Sequence, residues 1–159
     1  MNQKGKELAE KFTTFNNEML AIVESCTDED WKKVCGGEQW TVGVVAHHVA
    51  AGHYSSLDLV KMIVAGETLP PLTMDTIDRM NLKHAQENAD CTRAEVLALL
   101  RENGADFANY LDGLSEADLG RTAYLAPLDG DVSAQHLVEM IILHSAADHL
   151  SNIKTAIEP

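Results

Sequence analysis

The chain has 159 residues, the length of one ordinary domain, and it is 45% hydrophobic and 23% charged. This composition supports a sizeable core and excludes a disordered chain. Twelve lysines and arginines against 25 aspartates and glutamates give a net charge of −13, which disfavours nucleic acid and anionic membrane surfaces as partners. We therefore expect one domain over residues 1–159 with neither nucleic acid nor a membrane as a partner.

Cysteine usage and the N-terminal sequence indicate a cytoplasmic protein. The first residues lack the apolar stretch of a secretory signal, and no run approaches the roughly 18 apolar residues of a membrane span. Cys26, Cys35 and Cys91 cannot all pair within one chain, so reduced thiols are expected. Acidic neighbours such as Asp28 and Asp90 would raise a thiol pKa, which disfavours a catalytic cysteine.

Helical periodicity dominates the first half of the chain. Apolar residues at spacings of three and four predict a helix over residues 7–23. Thr41 can cap a second helix over residues 42–65, which Gly66 would end. After a proline-rich connection, a third segment with a thinner apolar stripe is predicted over residues 73–88.

The second half predicts two more long helices. Thr92 and Glu95 form a capping box at the start of a helix that reaches about residue 114. Residues 120–131 are predicted to be a loop, and Ser133 opens a last helix that reaches about residue 157. Four long helices with almost no strand signal predict an all-α four-helix bundle. The long crossover between the second and third long helices favours an up-down-down-up arrangement.

Histidine placement is the feature that points to chemistry. Six of the seven histidines lie on two predicted helices, with His47, His48 and His53 on the second and His136, His144 and His149 on the last. At 100° per residue His48 faces the bundle interior, and His53 falls about 140° away from it. His144 and Asp148 stack on one side of the last helix, with His149 on the adjoining stripe.

Spacing alone leaves two interpretations open. Imidazoles from two facing helices can bind Zn²⁺ or Ni²⁺, and three ligands leave a position free for metal-assisted chemistry. Alternatively, buried histidines are satisfied by hydrogen bonds and hold no metal. Outside the candidate site, His47 and His136 are expected to face solvent or a second protomer, and His84 is expected at the surface.

Three stretches of sequence resemble the DinB-like, YfiT-like superfamily. Residues 40–53, WTVGVVAHHVAAGH, are similar to its second-helix signature, and residues 144–153, HSAADHLSNI, are similar to its last-helix signature. Asp78 and Asn81 resemble an Asp-x-x-Asn motif of its crossover segment. The resemblance covers nearly the whole chain. It implies an up-down-down-up bundle, often dimeric, with a metal held by one histidine of the second helix and two of the last.

The resemblance carries over to particular residues. His48 and His149 match two of the expected metal ligands, whereas the position four residues before His149 holds Ser145. His144 is one residue away, about 100° around the helix. Either His144 turns in with Asp148 as its partner, or His144 and His149 bind with distorted geometry, or the metal is weak or lost. The predicted metal ligands are His48, His144 and His149.

Characterised branches of this superfamily include mycothiol-dependent maleylpyruvate isomerase and bacillithiol S-transferase-like proteins. The resemblance therefore implies a metal-dependent S-transferase or isomerase that acts on small electrophiles, as a homodimer, with a low-molecular-weight thiol supplied from outside. His53 and Asp148 are predicted catalytic residues that orient reactants or accept a proton. Two alternatives are a non-catalytic ligand- or metal-binding bundle that has lost part of the metal site, and a metal-dependent hydrolase.

Overall fold

The first half of the fold contains two of the four long helices. The computed structural model describes residues 2–159, and in it the first long helix extends a few residues beyond both of its predicted ends. The elements are α1 (Gln3–Ser25), the short α2 (Asp28–Lys32), α3 (Val42–His47), a π-helical turn (His48–His53), a 3₁₀ turn (Tyr54–Ser56) and α4 (Leu57–Ala65). The segments from α3 to α4 are continuous and form the second long helix, residues 42–65. It starts and ends at the predicted residues.

The second half contains the crossover helix and the other two long helices. Its elements are α5 (Met74–Glu87), α6 (Arg93–Asp112), α7 (Glu116–Leu119), β1 (Thr122–Leu125), β2 (Gly130–Ser133), α8 (Ala134–Val138), a π-helical stretch (Glu139–Ala146) and α9 (Ala147–Ile157). The segments from α8 to α9 are continuous and form the last long helix, residues 134–157. Both π-helical segments lie near the middle of their long helices.

Contacts between helices establish the predicted up-down-down-up order. The start of α1 packs on the end of α6, since a Cβ at Gly5 would lie 2.4 Å from the Leu114 carbonyl oxygen, so these helices are antiparallel. The second long helix runs parallel to α6, because Asn103 Nδ2 donates to the Ala50 carbonyl at 2.9 Å while Cys91, before α6, bonds Gly43. Two parallel neighbours require a long crossover, and α5 lies within it.

The predicted loop over residues 120–131 is wrong in part, because it contains a two-stranded antiparallel hairpin. Thr122 pairs with Ser133 at one end and Leu125 with Gly130 at the other. Asp129 adopts a left-handed conformation in the turn, with φ of 47°, and accepts a hydrogen bond from the Tyr124 hydroxyl at 2.8 Å. Strands of four residues are too short to show a clear alternation in the sequence.

None of the helices in the described part of the chain combines the length and hydropathy that a membrane crossing requires.

A buried polar contact ties three of the long helices together beneath the candidate site. The Tyr54 hydroxyl donates to Asn16 Oδ1 at 2.6 Å, and Asn16 Nδ2 donates to the Leu100 carbonyl at 3.2 Å. Asn16 fits because Gly104 leaves room for it. A Cβ at Gly104 would lie 2.4 Å from Asn16 Nδ2. The glycine is therefore required by packing rather than by backbone conformation.

Gly104→Ala should lower the free energy of unfolding by about 1–3 kcal/mol, because the added methyl must displace a buried, hydrogen-bonded amide. Without that collision, alanine inside a helix would be stabilising. Gly113→Ala at the end of the same helix is the matched control, since its Cβ would approach no atom closer than 3.6 Å. Urea denaturation measures both. Equal stability of the two variants would contradict this packing role.

Candidate metal centre

Three histidines meet where the second and last long helices face each other. One ring nitrogen from each of His48, His53 and His149 lies within 4.8 Å of the other two. The ring centroids are 4.7 Å apart for His48 and His53, 5.2 Å for His48 and His149, and 4.9 Å for His53 and His149. All three pairs meet edge to face. His48 and His53 are only 6% and 9% exposed, so the group is largely dry.

The π-helical turn explains why His53 joins His48. In a regular α-helix two residues five apart point about 140° away from each other. A π-helical turn bonds residues five apart and places them on the same face. Since this turn spans His48–His53, it brings the two imidazoles together on the interior side. The α-helical periodicity used in the sequence analysis could not detect this change.

Glu38, in the loop before α3, orients His149. His149 Nδ1 donates to Glu38 Oε2 at 2.8 Å, and Asn152 Nδ2 donates to Glu38 Oε1 at 2.9 Å. The Glu38 side chain is 7% exposed. Because Nδ1 is engaged by a carboxylate, His149 Nε2 is left with its lone pair free for a metal, an arrangement common in metalloproteins. Glu38 is not among the predicted site residues, since its neighbours in the sequence give no sign of a contact with the last long helix.

His53 carries the clearest sign that the cluster suits a metal. Its Nε2 lies 3.0 Å from Ser145 Oγ, and its buried Nδ1 has no hydrogen-bond partner among residues 2–159. A buried polar nitrogen is rarely left unpaired, and the His53 ring lies beside two other imidazoles, the ligands that divalent transition metals prefer. Gly52 leaves the space that His48 fills, because a Cβ there would lie 3.1 Å from His48 Nδ1. The residues present therefore fit a divalent metal.

Burial keeps the two interior histidines neutral. Desolvation, followed by the charges of the neighbouring histidines, lowers the pKa of His48 to about 3. Desolvation and then His149 lower the pKa of His53 to about 4, against a smaller opposing effect of the His48 backbone. Both rings are therefore unprotonated near pH 7, which is the state in which imidazole binds a metal.

The structure divides the residues that the sequence singled out. It brings together His48 and His149, from the predicted metal set, with His53, which was predicted as a catalytic residue. His144 and Asp148 are exposed and lie outside the cluster. Ser145 is on the cluster side, since its hydroxyl meets His53. This placement favours His53 over His144 as the third ligand, and a chemical role for Asp148 stays an untested prediction.

His47 does not face solvent, so that expectation is wrong. It is 9% exposed, and its Nδ1 lies 2.7 Å from Nε2 of the half-buried His84 on α5. Burial is the main cause that lowers the pKa of both rings. The crossover helix covers this side of the second long helix, and its position could not be deduced from periodicity.

A cavity of about 770 Å³ opens from the cluster toward the crossover helix. Most of its wall is apolar, with side chains from both long helices and from the crossover: Trp40, Leu59, Leu72, Met74, Met80 and Ile141. Asp78 and Asn81, the two residues of the crossover motif, also line it. A small molecule in this cavity could therefore reach an ion bound by the three histidines.

The cysteines take no part in the cluster. Burial, and secondarily Glu38, raises the pKa of Cys35 to about 12, and burial followed by Glu95 raises that of Cys91 to about 11. Cys26 is buried and its pKa is also raised, mainly by desolvation. Neutral thiols of this kind are poor nucleophiles.

Comparison with known proteins places these features in a family context. A sequence profile of the DinB superfamily matches residues 11–152. Among solved structures, the chain is similar to YfiT from Bacillus subtilis, described as a probable metal-dependent hydrolase with an unusual four-helix bundle topology. The TM-score is 0.76 at 19% sequence identity, over 98% of this chain and 85% of that chain. This likeness shows the fold. No curated protein sequence matches the chain.

Replacing the histidines one at a time should identify the ligands. His48→Ala, His53→Ala and His149→Ala should each weaken zinc binding about 100-fold or more, because each removes one nitrogen of the cluster. His144→Ala is the matched control from the same helix and should bind zinc as tightly as the unmodified chain. Competition with a chelator measures the affinities. Loss of zinc in His144→Ala but not in His53→Ala would reverse the assignment.

Glu38→Gln should weaken zinc binding about 10- to 100-fold while the protein stays folded, because a neutral amide holds the His149 ring less firmly than a carboxylate. Asp58→Asn removes a charge from the wall of the same cavity and serves as the control. Chelator competition gives the affinities and circular dichroism the folded state. Equal effects of the two variants would mean that only overall charge matters.

Proposed function

The chain belongs to the DinB superfamily, and we propose that it is a metal-dependent enzyme that activates a small nucleophile at His48, His53 and His149. The observation that carries the proposal is the cluster itself, in which one ring nitrogen from each of the three histidines lies within 4.8 Å of the other two. The cavity next to the cluster gives a substrate access to it. Zinc and nickel are the proposed ions, since imidazole nitrogens suit both.

A divalent ion held by these histidines would supply Lewis acidity. This would lower the pKa of a bound water or thiol so that it can lose its proton near neutral pH. The chain's own groups prepare the site for it. The neutral rings of His48 and His53 present lone pairs without first losing a proton. Glu38 fixes the His149 ring, and the contact between Ser145 Oγ and His53 Nε2 fixes the His53 ring.

Hydrolysis of a small ester or amide is the activity we propose first. Three protein ligands leave a free position for water, as in catalytic zinc sites. YfiT, which shares the fold, is described as a probable metal-dependent hydrolase. The described residues of the cluster and cavity wall include no cysteine that could act as a nucleophile instead. Water at the free coordination position is therefore the proposed nucleophile.

A thiol-dependent S-transferase or isomerase is the second candidate. It is favoured by the resemblance of residues 40–53 and 144–153 to a superfamily whose characterised branches include thiol-dependent enzymes. The raised pKa values of Cys35 and Cys91 imply that any thiol would come from outside the chain. A cytoplasmic homodimer acting on a small molecule completes this proposal. Sedimentation at micromolar concentration tests the dimer, and a 17.4 kDa species alone would reject it.

Turnover by the zinc-loaded protein decides between these activities. With a neutral nitrophenyl ester and no thiol, we expect release of nitrophenol that chelation abolishes and added zinc restores. His53→Ala should lose about 100-fold of this rate, and His144→Ala should keep it. Conjugation of a small electrophile only when a thiol is present would support the second candidate. Tight zinc binding with neither reaction would overturn both and favour a non-catalytic bundle.

A further inference from the structure

We infer that the cavity beside the histidine cluster accepts an uncharged or cationic, largely apolar substrate and rejects anions. The inference rests on the proposed function only in treating the bound molecule as a substrate. The selectivity itself is a property of the cavity wall. It narrows the substrate class within the reaction types proposed above.

Apart from histidines, the ionisable side chains that line the cavity among the described residues are all carboxylates. They belong to Glu38, Asp58 and Asp78, and no lysine or arginine lines the cavity among residues 2–159. Glu38 is engaged by His149 and Asn152, whereas Asp58 and Asp78 are exposed. These two side chains come from α4 and α5, two different walls, so an anion that enters is repelled from both.

The cations nearest in sequence on the crossover helix are engaged elsewhere. Arg79 forms a salt bridge with Asp75, one turn before it. Lys83 Nζ lies 3.7 Å from Glu87, one turn after it. Neither cation lines the cavity. A carboxylate, sulfonate or phosphate on the substrate would therefore find no cationic side chain on the described wall to replace its hydration.

The apolar part of the wall indicates what the rest of the substrate is like. Met74 and Met80 line the cavity and yet remain 55% and 57% exposed, so their side chains are not used in the core. Methionine side chains are flexible and polarisable, and they adapt to apolar ligands of different shape. Ile77 lies between them on the same helix and also lines the cavity. An alkyl or aryl group would cover this surface.

Three ligands with the same chain and different head groups test the inference: octanol, octyltrimethylammonium and octanesulfonate. Calorimetric titration of the full chain, both zinc-free and zinc-loaded, should show octanol and octyltrimethylammonium binding about tenfold or more tightly than octanesulfonate. The sulfonate is chosen because it is a poor zinc ligand. Octanesulfonate that binds as tightly as octanol in both states would overturn the inference.

A matched pair of variants locates the effect. Met80→Lys places a cation on the cavity wall and should raise the affinity for octanesulfonate about threefold or more. Leu82→Lys adds the same charge to the same helix at a residue that is 54% exposed and lies outside the cavity, so it should have no such effect. Both side chains are exposed, and both variants should fold. Equal effects of the two would show that only net charge matters and would overturn the inference.

These outcomes are separable from those of the proposed function. The zinc-free titrations require no metal, so failure to load zinc would remove the proposed enzyme and leave the charge selectivity measurable. Conversely, an active zinc enzyme that binds octanesulfonate as tightly as octanol would remove only the selectivity.

Discussion

The candidate site depends on one local change of backbone geometry, the π-helical turn over His48–His53. A regular α-helix would direct the two imidazoles to different faces, whereas the wider π-helical turn directs both to the same face. Wide turns of this kind are uncommon and are frequent at functional sites. The last long helix contains a second π-helical stretch over Glu139–Ala146, which faces the first and ends one residue after Ser145. The regular α-helical pattern thus changes on both sides of the cluster.

Groups outside the cluster hold His149 and the π-helical turn in place. Glu38 comes from a loop, accepts a hydrogen bond from His149 and is itself held by Asn152. Beneath the turn, Tyr54 is anchored through Asn16 to the α6 backbone. These contacts reach the site from separate elements, so the cluster is assembled by the whole bundle. Hydrogen bonds of this kind fix the orientation of a histidine ring for binding an ion.

The crossover that the topology requires also shapes the cavity. Parallel neighbours cannot be joined by a tight turn, so the chain between them must travel the length of the bundle. Here that chain includes α5, whose only buried residue is Ala85. Because the helix contributes little to the core, its apolar and acidic side chains are free to line the cavity above the cluster. The same helix contributes His84, which lies against His47.

The helices and their order could be predicted from the sequence, because capping residues, apolar periodicity and the length of the crossover can be recognised along the chain. Thr41, Gly66 and Thr92 lie at helix ends as predicted. Sequence also singled out His48 and His149, through spacing and family resemblance. Only the tertiary structure placed His53 beside them and His144 outside, because a π-helical turn changes which residues share a face and leaves no mark in a pattern read at 100° per residue. The role of Glu38 likewise follows from a contact across 111 residues of chain, which no local pattern encodes.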